Sequence, residues 1–390
     1  MLPSWYHTPD RPWSGAFFEN QALALARAGI RVGVAFAELR SLRTLSPRGL
    51  WQSHFQTATS EDRGVTSFRL KSWNPMAQTA PGASVWCALS RRLVRTYTHR
   101  FGIPDVIHAQ GAHWAGRVAV DSARELSRPS VVTEHSTAVL RGALRADERR
   151  HAAAIYRDAD AVLAVSHTLS NAVNALAGID RCQLLPNFID FKFFTLPPVP
   201  RQNDPFTFLC VCNLINMHKR VDRLIRAFAQ VSTARPGTRL VIIGGGEDEG
   251  ALRALAQQCG VAPLVEFTGA LPAVAVRERM WTANALVLTS AFETFGVVLI
   301  EALATGIPVI STRSGGTEDI VEPDLGYLVD QDDGAGLVGA MIAATARPFS
   351  EQHLRDRAER RYSFETVARQ LLNLYAELGS AGRPGGEKRQ

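Results

Sequence analysis

Short apolar runs alternate with helix-spaced segments from one end of this sequence to the other. No other feature restricts the fold as strongly. Apolar runs separated by helices read as strands of a parallel sheet, because a parallel connection must cross back over the sheet. In the first half, residues 30–37, 106–109, 131–133 and 161–165 read as strands, and 17–28, 83–101 and 143–158 carry helical spacing. The series stops in the segment 193–205, where four prolines exclude a helix interior or a central strand. It restarts with strands over 206–211, 240–243, 265–268, 285–289 and 309–311. After Asp330 only helical patterns follow, the last over about 363–378. The expected fold is α/β, with two Rossmann-like doubly wound domains. The first covers 1–195, 196–205 is a linker, and the second covers 206–362. The Gly-rich, polar stretch 379–390 is predicted to be a disordered tail. Only Met1, Leu2 and Pro3 precede the loop beginning at Ser4, so the opening strand reads as truncated.

Composition narrows the function. Lys and Arg number 43 against 37 Asp and Glu, an excess suited to anionic partners. The basic residues are scattered, with no Lys/Arg block and no aromatic-basic tract, which argues against a nucleic-acid binder. The five cysteines include no Cys-x-x-Cys, so neither a zinc ribbon nor a disulfide framework is expected, and a reducing cytoplasm fits. No apolar run approaches the roughly 20 residues of a membrane span.

Several motifs carry chemistry. Ser290-Ala-Phe-Glu-Thr-Phe-Gly-Val-Val-Leu-Ile-Glu-Ala302 follows a strand, and a helix is predicted to open near Thr294. On such a helix Glu293 and Glu301 lie about 12 Å apart in rise. That spacing excludes a shared proton or metal, but suits hydroxyl groups at opposite ends of one extended ligand. Between them the helix N-terminus offers a seat for phosphate. A dipole-favoured first-turn Glu and a solvated Glu are the plain alternative. Asn213 to Arg220 forms a basic turn after a strand, with His218, Lys219 and Arg220 in succession, where a cation is well placed to neutralise an anionic group. Gly244-Gly-Gly-Glu-Asp-Glu-Gly250 superficially matches a dinucleotide fingerprint. Its last glycine is out of step and three acids occupy the phosphate position, which argues against an NAD site. Gly15, Gly315 and Gly316 are better candidates for close backbone approach to a ligand. His108, His113 and His135 lack a carboxylate or Cys at ligand spacing, and Asp158-x-Asp160 and Asp330-x-Asp332 read as surface acids. No metal and no cofactor is expected. Trp86, Leu89, Leu93, Tyr97 and Phe101 form a helical stripe with arginines on the other faces. It reads as a packed helix, with docking on anionic lipid as the alternative.

Taken in order, these motifs resemble the retaining GT-B glycosyltransferases of the group 1, family 4 type. The resemblance rests on Glu293-x7-Glu301, Ala304-Thr-Gly-Ile-Pro-Val-Ile310, Gly315-Gly-Thr-Glu-Asp-Ile-Val321, Leu185-Pro-Asn-Phe-Ile-Asp190 and Thr133-Glu-His-Ser136. The opening Pro3-Ser-Trp-Tyr6, Pro9-Asp10 and Ser14-Gly15 belong with them, as does the element ending at His108. The resemblance implies two domains facing a cleft, with the final helix crossing back to the first. It implies sugar transfer from a nucleoside diphosphate sugar to a glycan or lipid-linked acceptor. His135, Lys219 and Glu293 would be catalytic, and Gly15, Lys219, Thr294, Phe295, Gly296 and Glu301 would bind the donor. Asn213 stands where Arg is common in the family, and Arg220 where Gly is usual. The expected setting is cytoplasmic, with peripheral contact at the inner face of the plasma membrane as an extension. An epimerase, a phosphorylase, an NAD(P)-dependent dehydrogenase and an inactive nucleotide-sugar binder remain the alternatives.

Overall fold

The computed structural model describes residues 1–7, 15–40, 55–74, 76, 79–202 and 204–381. The chain forms two compact units. One comprises Met1–Val165 and Leu169–Leu185 and is joined by the segment from Glu365 onward; the other comprises Ser166–Thr168 and Pro186–Phe364.

The first unit begins with β1 (Leu2–Pro3), α1 (Ala16–Arg27) and β2 (Val32–Arg40). β3 (Gln56–Asp62), β4 (Val65–Trp73) and α2 (Ala80–Phe101) follow. Then come β5 (Ile107–Gln110), a single π-helical turn (Ala112–Gly116), α3 (Arg117–Leu126) and β6 (Ser130–Glu134). α4 (Thr137–Leu140), α5 (Ala146–Asp158), β7 (Ala161–Ala164), α6 (His167–Ala177) and β8 (Cys182–Leu184) complete the series. The main sheet is parallel in the order β1-β5-β6-β7-β8. Every residue of β5, β6 and β7 is buried, as expected for strands covered on both faces. A second sheet, β2-β4-β3, joins it where Ala35 N–H donates to the Met1 carbonyl. The opening strand is thus two residues long and paired to β5.

The strands β3 and β4 escaped the periodicity reading for a physical reason. Gln-Thr-Ala-Thr-Ser-Glu-Asp in β3 is exposed throughout, an edge strand held only by its antiparallel ladder to β4. β4 buries Val65, Phe68 and Leu70 but interleaves Arg69 and Lys71. α2 starts earlier than its apolar stripe because Thr79 caps it, its Oγ1 accepting from Gly82 N–H at 3.2 Å.

The second unit runs β9 (Phe206–Val211), α7 (Asn216–Lys219), α8 (Val221–Ala234), β10 (Thr238–Ile243), α9 (Glu249–Gln258) and β11 (Val265–Gly269). It continues with α10 (Ala273–Thr282), β12 (Ala285–Leu288), α11 (Val297–Ala304), β13 (Val309–Thr312) and β14 (Gly326–Val329). α12 (Gly334–Ala346) and α13 (Glu351–Tyr362) close it. Its sheet is wholly parallel, ordered β11-β10-β9-β12-β13-β14. Phe208, Leu224, Phe228, Leu240 and Met341 centre one core on the sheet. The proline-rich stretch packs onto this unit. The Arg201 side chain is 7% exposed, bonded to Glu351 at 2.5 Å and to the Thr305 carbonyl at 2.9 Å, and the Trp281 indole donates to the Thr195 carbonyl at 2.7 Å.

The last helix, α14 (Phe364–Ala381), belongs to the first unit from Glu365 on. The Tyr375 hydroxyl lies 2.6 Å from His108 Nδ1, and His108 Nε2 lies 2.7 Å from Thr133 Oγ1. Burial pushes the His108 pKa down to about 3, so the ring is a neutral tie. Gly379 to Ala381 are helical, which shortens the predicted tail at its start; residues 382–390 lie outside the described residues.

Candidate functional site

In the second unit, numbering strands from β9 gives the order 3-2-1-4-5-6, with the direction of winding reversing between β9 and β12. Ligands of doubly wound sheets bind beyond the carboxyl ends of the strands at such a reversal. Lys219 ends the short helix that follows β9, and Glu293 follows β12. Their side chains meet: Lys219 Nζ donates to Glu293 Oε1, which also accepts from Ser290 Oγ at 2.8 Å. Burial is the largest single influence on the Lys219 pKa and lowers it, but Glu293, with smaller contributions from Cys212 and Cys210, turns the net displacement upward, so the ammonium stays charged.

Glu293 is held by its backbone as well. Its N–H donates to the Ser314 carbonyl and its own carbonyl accepts from Gly316 N–H, a parallel bridge to the loop after β13. A Cβ on Gly316 would fall against the Thr294–Phe295 backbone, which makes this glycine obligatory for the approach of the two loops. Glu318 secures the same loop by accepting from Gly315 N–H at 3.0 Å and from Thr317 Oγ1 at 2.9 Å.

α11 opens at Val297, with Gly296 as its N-cap at φ +94°. This corrects the expected start near Thr294. Thr294–Gly296 form the approach to the helix, so Glu293 lies outside it and the 12 Å rise does not describe the two carboxylates. The N–H groups at a helix start point out of its N-terminus and suit an anion; in α11 the Leu299 N–H is already taken by the Gly296 carbonyl at 2.9 Å. Phe295 is buried against Tyr362, with ring centroids 5.6 Å apart, and anchors the loop. Desolvation raises the Glu301 pKa to about 7.

Arg220 adopts φ +48°, the left-handed conformation that glycine takes without strain, and its guanidinium is engaged by Asp222 at 3.1 Å. Asn213 is exposed. His218 Nδ1 is buried without a hydrogen-bond partner. Gly244 and Gly246 lie so close to the backbone of Cys212 and Leu214 that a Cβ on either would collide. These glycines serve loop packing. In the first unit, Gly15 caps α1 at φ +74°, and His135 follows β6. His135 Nε2 lies 2.9 Å from Gln110 Oε1, and burial pushes its pKa down to about 3. Residues 8–14, which include Pro9, Asp10 and Ser14, lie outside the described residues.

Residues 15–193 match the family described as Glycosyltransferase Family 4, and residues 194–361 match Glycosyl transferases group 1. The chain belongs to this glycosyltransferase family. Its relatives include the glycogen synthase of Mycobacterium tuberculosis, 27% identical over 298 residues, covering 73% of this chain and 71% of that protein. The D-inositol 3-phosphate glycosyltransferase of Xylanimonas cellulosilytica is 28% identical over 324 residues, covering 75% and 76%. Among solved structures, the sucrose-phosphate synthase of Thermosynechococcus elongatus superposes with a TM-score of 0.74 at 21% identity, over 94% of this chain and 93% of that one. The likeness establishes a GT-B fold for the glycosyltransferase.

The glycosyltransferase has features that sequence reasoning missed. Cys210 and Cys212 alternate onto one side of β9 and its end, with their sulfurs 3.8 Å apart; a Cys-x-Cys spacing on a strand is the signal that would have found them. Glu134, read only as a neighbour of His135, accepts from the N–H groups of Ala112, His135 and Ser136 and from the Tyr156 hydroxyl at 2.5 Å. It ties the loop after β5 to that after β6. Asp330 and Asp332 pair with Arg313 and Arg223, Asp158 with Arg124, and Asp160 accepts from Ser130. Among the described residues no group of three His, Cys, Asp or Glu is placed to hold a metal ion. Among them, too, no helix is long and apolar enough to cross a membrane.

Proposed function

We propose that this glycosyltransferase moves a sugar from a nucleoside diphosphate sugar to a glycan or lipid-linked acceptor, with retention at the anomeric carbon. The observation that carries the reading is the Lys219–Glu293 pair beside the N-terminus of α11, at the point where the winding of the sheet reverses. A bound diphosphate draws Lys219 from Glu293 and adds the α11 N–H groups. Glu293, so released, accepts hydroxyls of the donor sugar, and Glu301 accepts those of the ribose. His135 lines the donor sugar, and the backbone at Gly15, Gly315 and Gly316 admits the ligand closely.

In the transfer step the bond from the anomeric carbon to the diphosphate oxygen breaks, and one to the acceptor oxygen forms on the same face. The acceptor proton passes to the departing phosphate. No metal is required, because Lys219 and the helix terminus meet the growing negative charge. The setting we propose is cytoplasmic. Peripheral contact with anionic lipid is favoured by the exposed Arg92 and Arg100 of α2, whereas Arg95 is engaged by Glu125.

A thermal-shift panel of UDP-, GDP-, ADP- and CDP-sugars identifies the donor, and turnover is then measured with it. Lys219→Ala should lower turnover by about 10²–10³, with excess EDTA leaving the wild type active. Unchanged turnover in a folded Lys219→Ala variant would remove the role of the lysine.

A further inference from the structure

The first unit carries a groove of about 840 Å³ that none of the residues above explains. It lies where the segments after β4, β5 and β6 converge: the start of α2, the π-helical turn, and the start of α5. All three follow the carboxyl ends of their strands, the side of a doubly wound sheet that receives ligands.

The turn after β5 is unusual. Trp114 holds φ +61° and ψ −61°, and His113 beside it is also non-helical. Outliers of this kind persist only where the surroundings over-determine them. Here the surroundings are visible. The Trp114 ring packs on buried Trp86 at 5.7 Å between centroids, and His113 stacks on Trp114 at 4.8 Å with a 31° tilt. Ser4 Oγ donates to the His113 carbonyl at 2.6 Å. The result presents a half-buried indole and an exposed imidazole along the groove.

The polar lining is matched in charge. Arg117 pairs with Asp121 at 2.6 Å, Arg91 approaches the same carboxylate at 3.6 Å, and Arg145 pairs with Glu148 at 3.1 Å and with Asp147 at 3.5 Å. Among the described residues that line the groove, three guanidinium groups thus stand with three carboxylates. Partial desolvation against the groove wall lowers the pKa of His113 and of His151. An anionic ligand would compete with these carboxylates for the guanidinium groups. Fixed planar donors and acceptors beside an aromatic surface instead suit a neutral ring with hydroxyls at its rim and C–H bonds on its face.

We propose that this groove, centred on Trp114, is a subsite for a neutral pyranose ring and seats the terminal sugar of the acceptor. The inference rests on the transfer reading above and adds to it the class of acceptor: an uncharged glycoside in preference to a sugar phosphate.

The test begins on the nucleotide-free full chain. Saturation-transfer NMR is recorded with methyl α-glucopyranoside, methyl α-galactopyranoside, methyl α-mannopyranoside and methyl N-acetyl-α-glucosaminide, against glucose 6-phosphate and mannose 6-phosphate. At least one neutral glycoside should give a signal that Trp114→Ala abolishes and His113→Ala weakens. His113 is exposed, so its variant keeps the result independent of a folding defect at Trp114. In turnover with the donor found by thermal shift, Trp114→Ala should raise the acceptor KM by about tenfold and leave the donor KM unchanged. No neutral glycoside signal in the wild type, a preference for the sugar phosphates, or full binding by both variants overturns the proposal. Failure of every nucleotide sugar to bind, with the Trp114-dependent signal intact, removes the transfer reading and leaves the saccharide site standing.

Discussion

Burial lifts the Glu301 carboxyl to a pKa of about 7, well above an unfolded glutamate, and this makes the residue a reporter of the site. Below the unfolded value both states carry the proton and Glu301 costs nothing. As pH rises through the interval up to about 7 the unfolded chain releases its proton first, so the folded state loses stability progressively. Glu301→Gln should therefore raise the thermal midpoint by several degrees at pH 8 and leave it unchanged at pH 4. Calorimetry at the two pH values decides it. The same titration governs the proposed ribose contact, since only the carboxylate accepts from both hydroxyls. Affinity for the nucleoside diphosphate should climb as pH passes upward through about 7 in the wild type and stay flat in Glu301→Gln. Titration calorimetry with the free nucleotide would reveal an equal slope in both, were the ribose role wrong.

At the scale of elements, the bridge between the loops after β12 and β13 depends on Gly316. A methyl group there meets backbone, which cannot rotate away, so Gly316→Ala should destabilise the second unit by about 1–3 kcal/mol. It should also displace Glu293 from Lys219, and nucleotide affinity would fall with it. Denaturant midpoints that matched the wild type would show that the loops have room to separate. How much of this was readable varied with the physics behind each element. β12 is a continuous apolar run and β9 is one but for Thr207, so both declared themselves, whereas β3, exposed throughout, has no hydrophobic pattern to find. The start of α11 was misplaced because Thr294 suits a cap. The turn is instead made by Gly296 in the left-handed region, after a tertiary bridge from Glu293 to the loop at Gly315 that local sequence does not reveal. Lys219 and Glu293 were legible as motif residues, but their contact was not, since it joins loops 74 positions apart. Trp114 gave no signal, because strain at one residue leaves no periodicity.

For the whole molecule, the first unit is discontinuous in sequence. Leu371 is buried in it, and Tyr375 supplies a partner to His108 Nδ1. Tyr375→Phe leaves that buried nitrogen unsatisfied and should cost about 1–3 kcal/mol. Ending the chain at Phe364 should lower the unfolding midpoint of the first unit much further and spare the second. Hydrogen exchange resolved by peptide would separate the two, with uniform loss of protection across both units as the contrary result. The same arrangement orders events on the ribosome. Synthesis runs from N- to C-terminus, and the second unit, essentially continuous from Pro186 to Phe364, has all of its chain before α14 is made. The first unit must wait with its His108 face uncovered until α14, which follows the whole of the second unit, has been made, so the unit whose synthesis begins earlier is the one completed later.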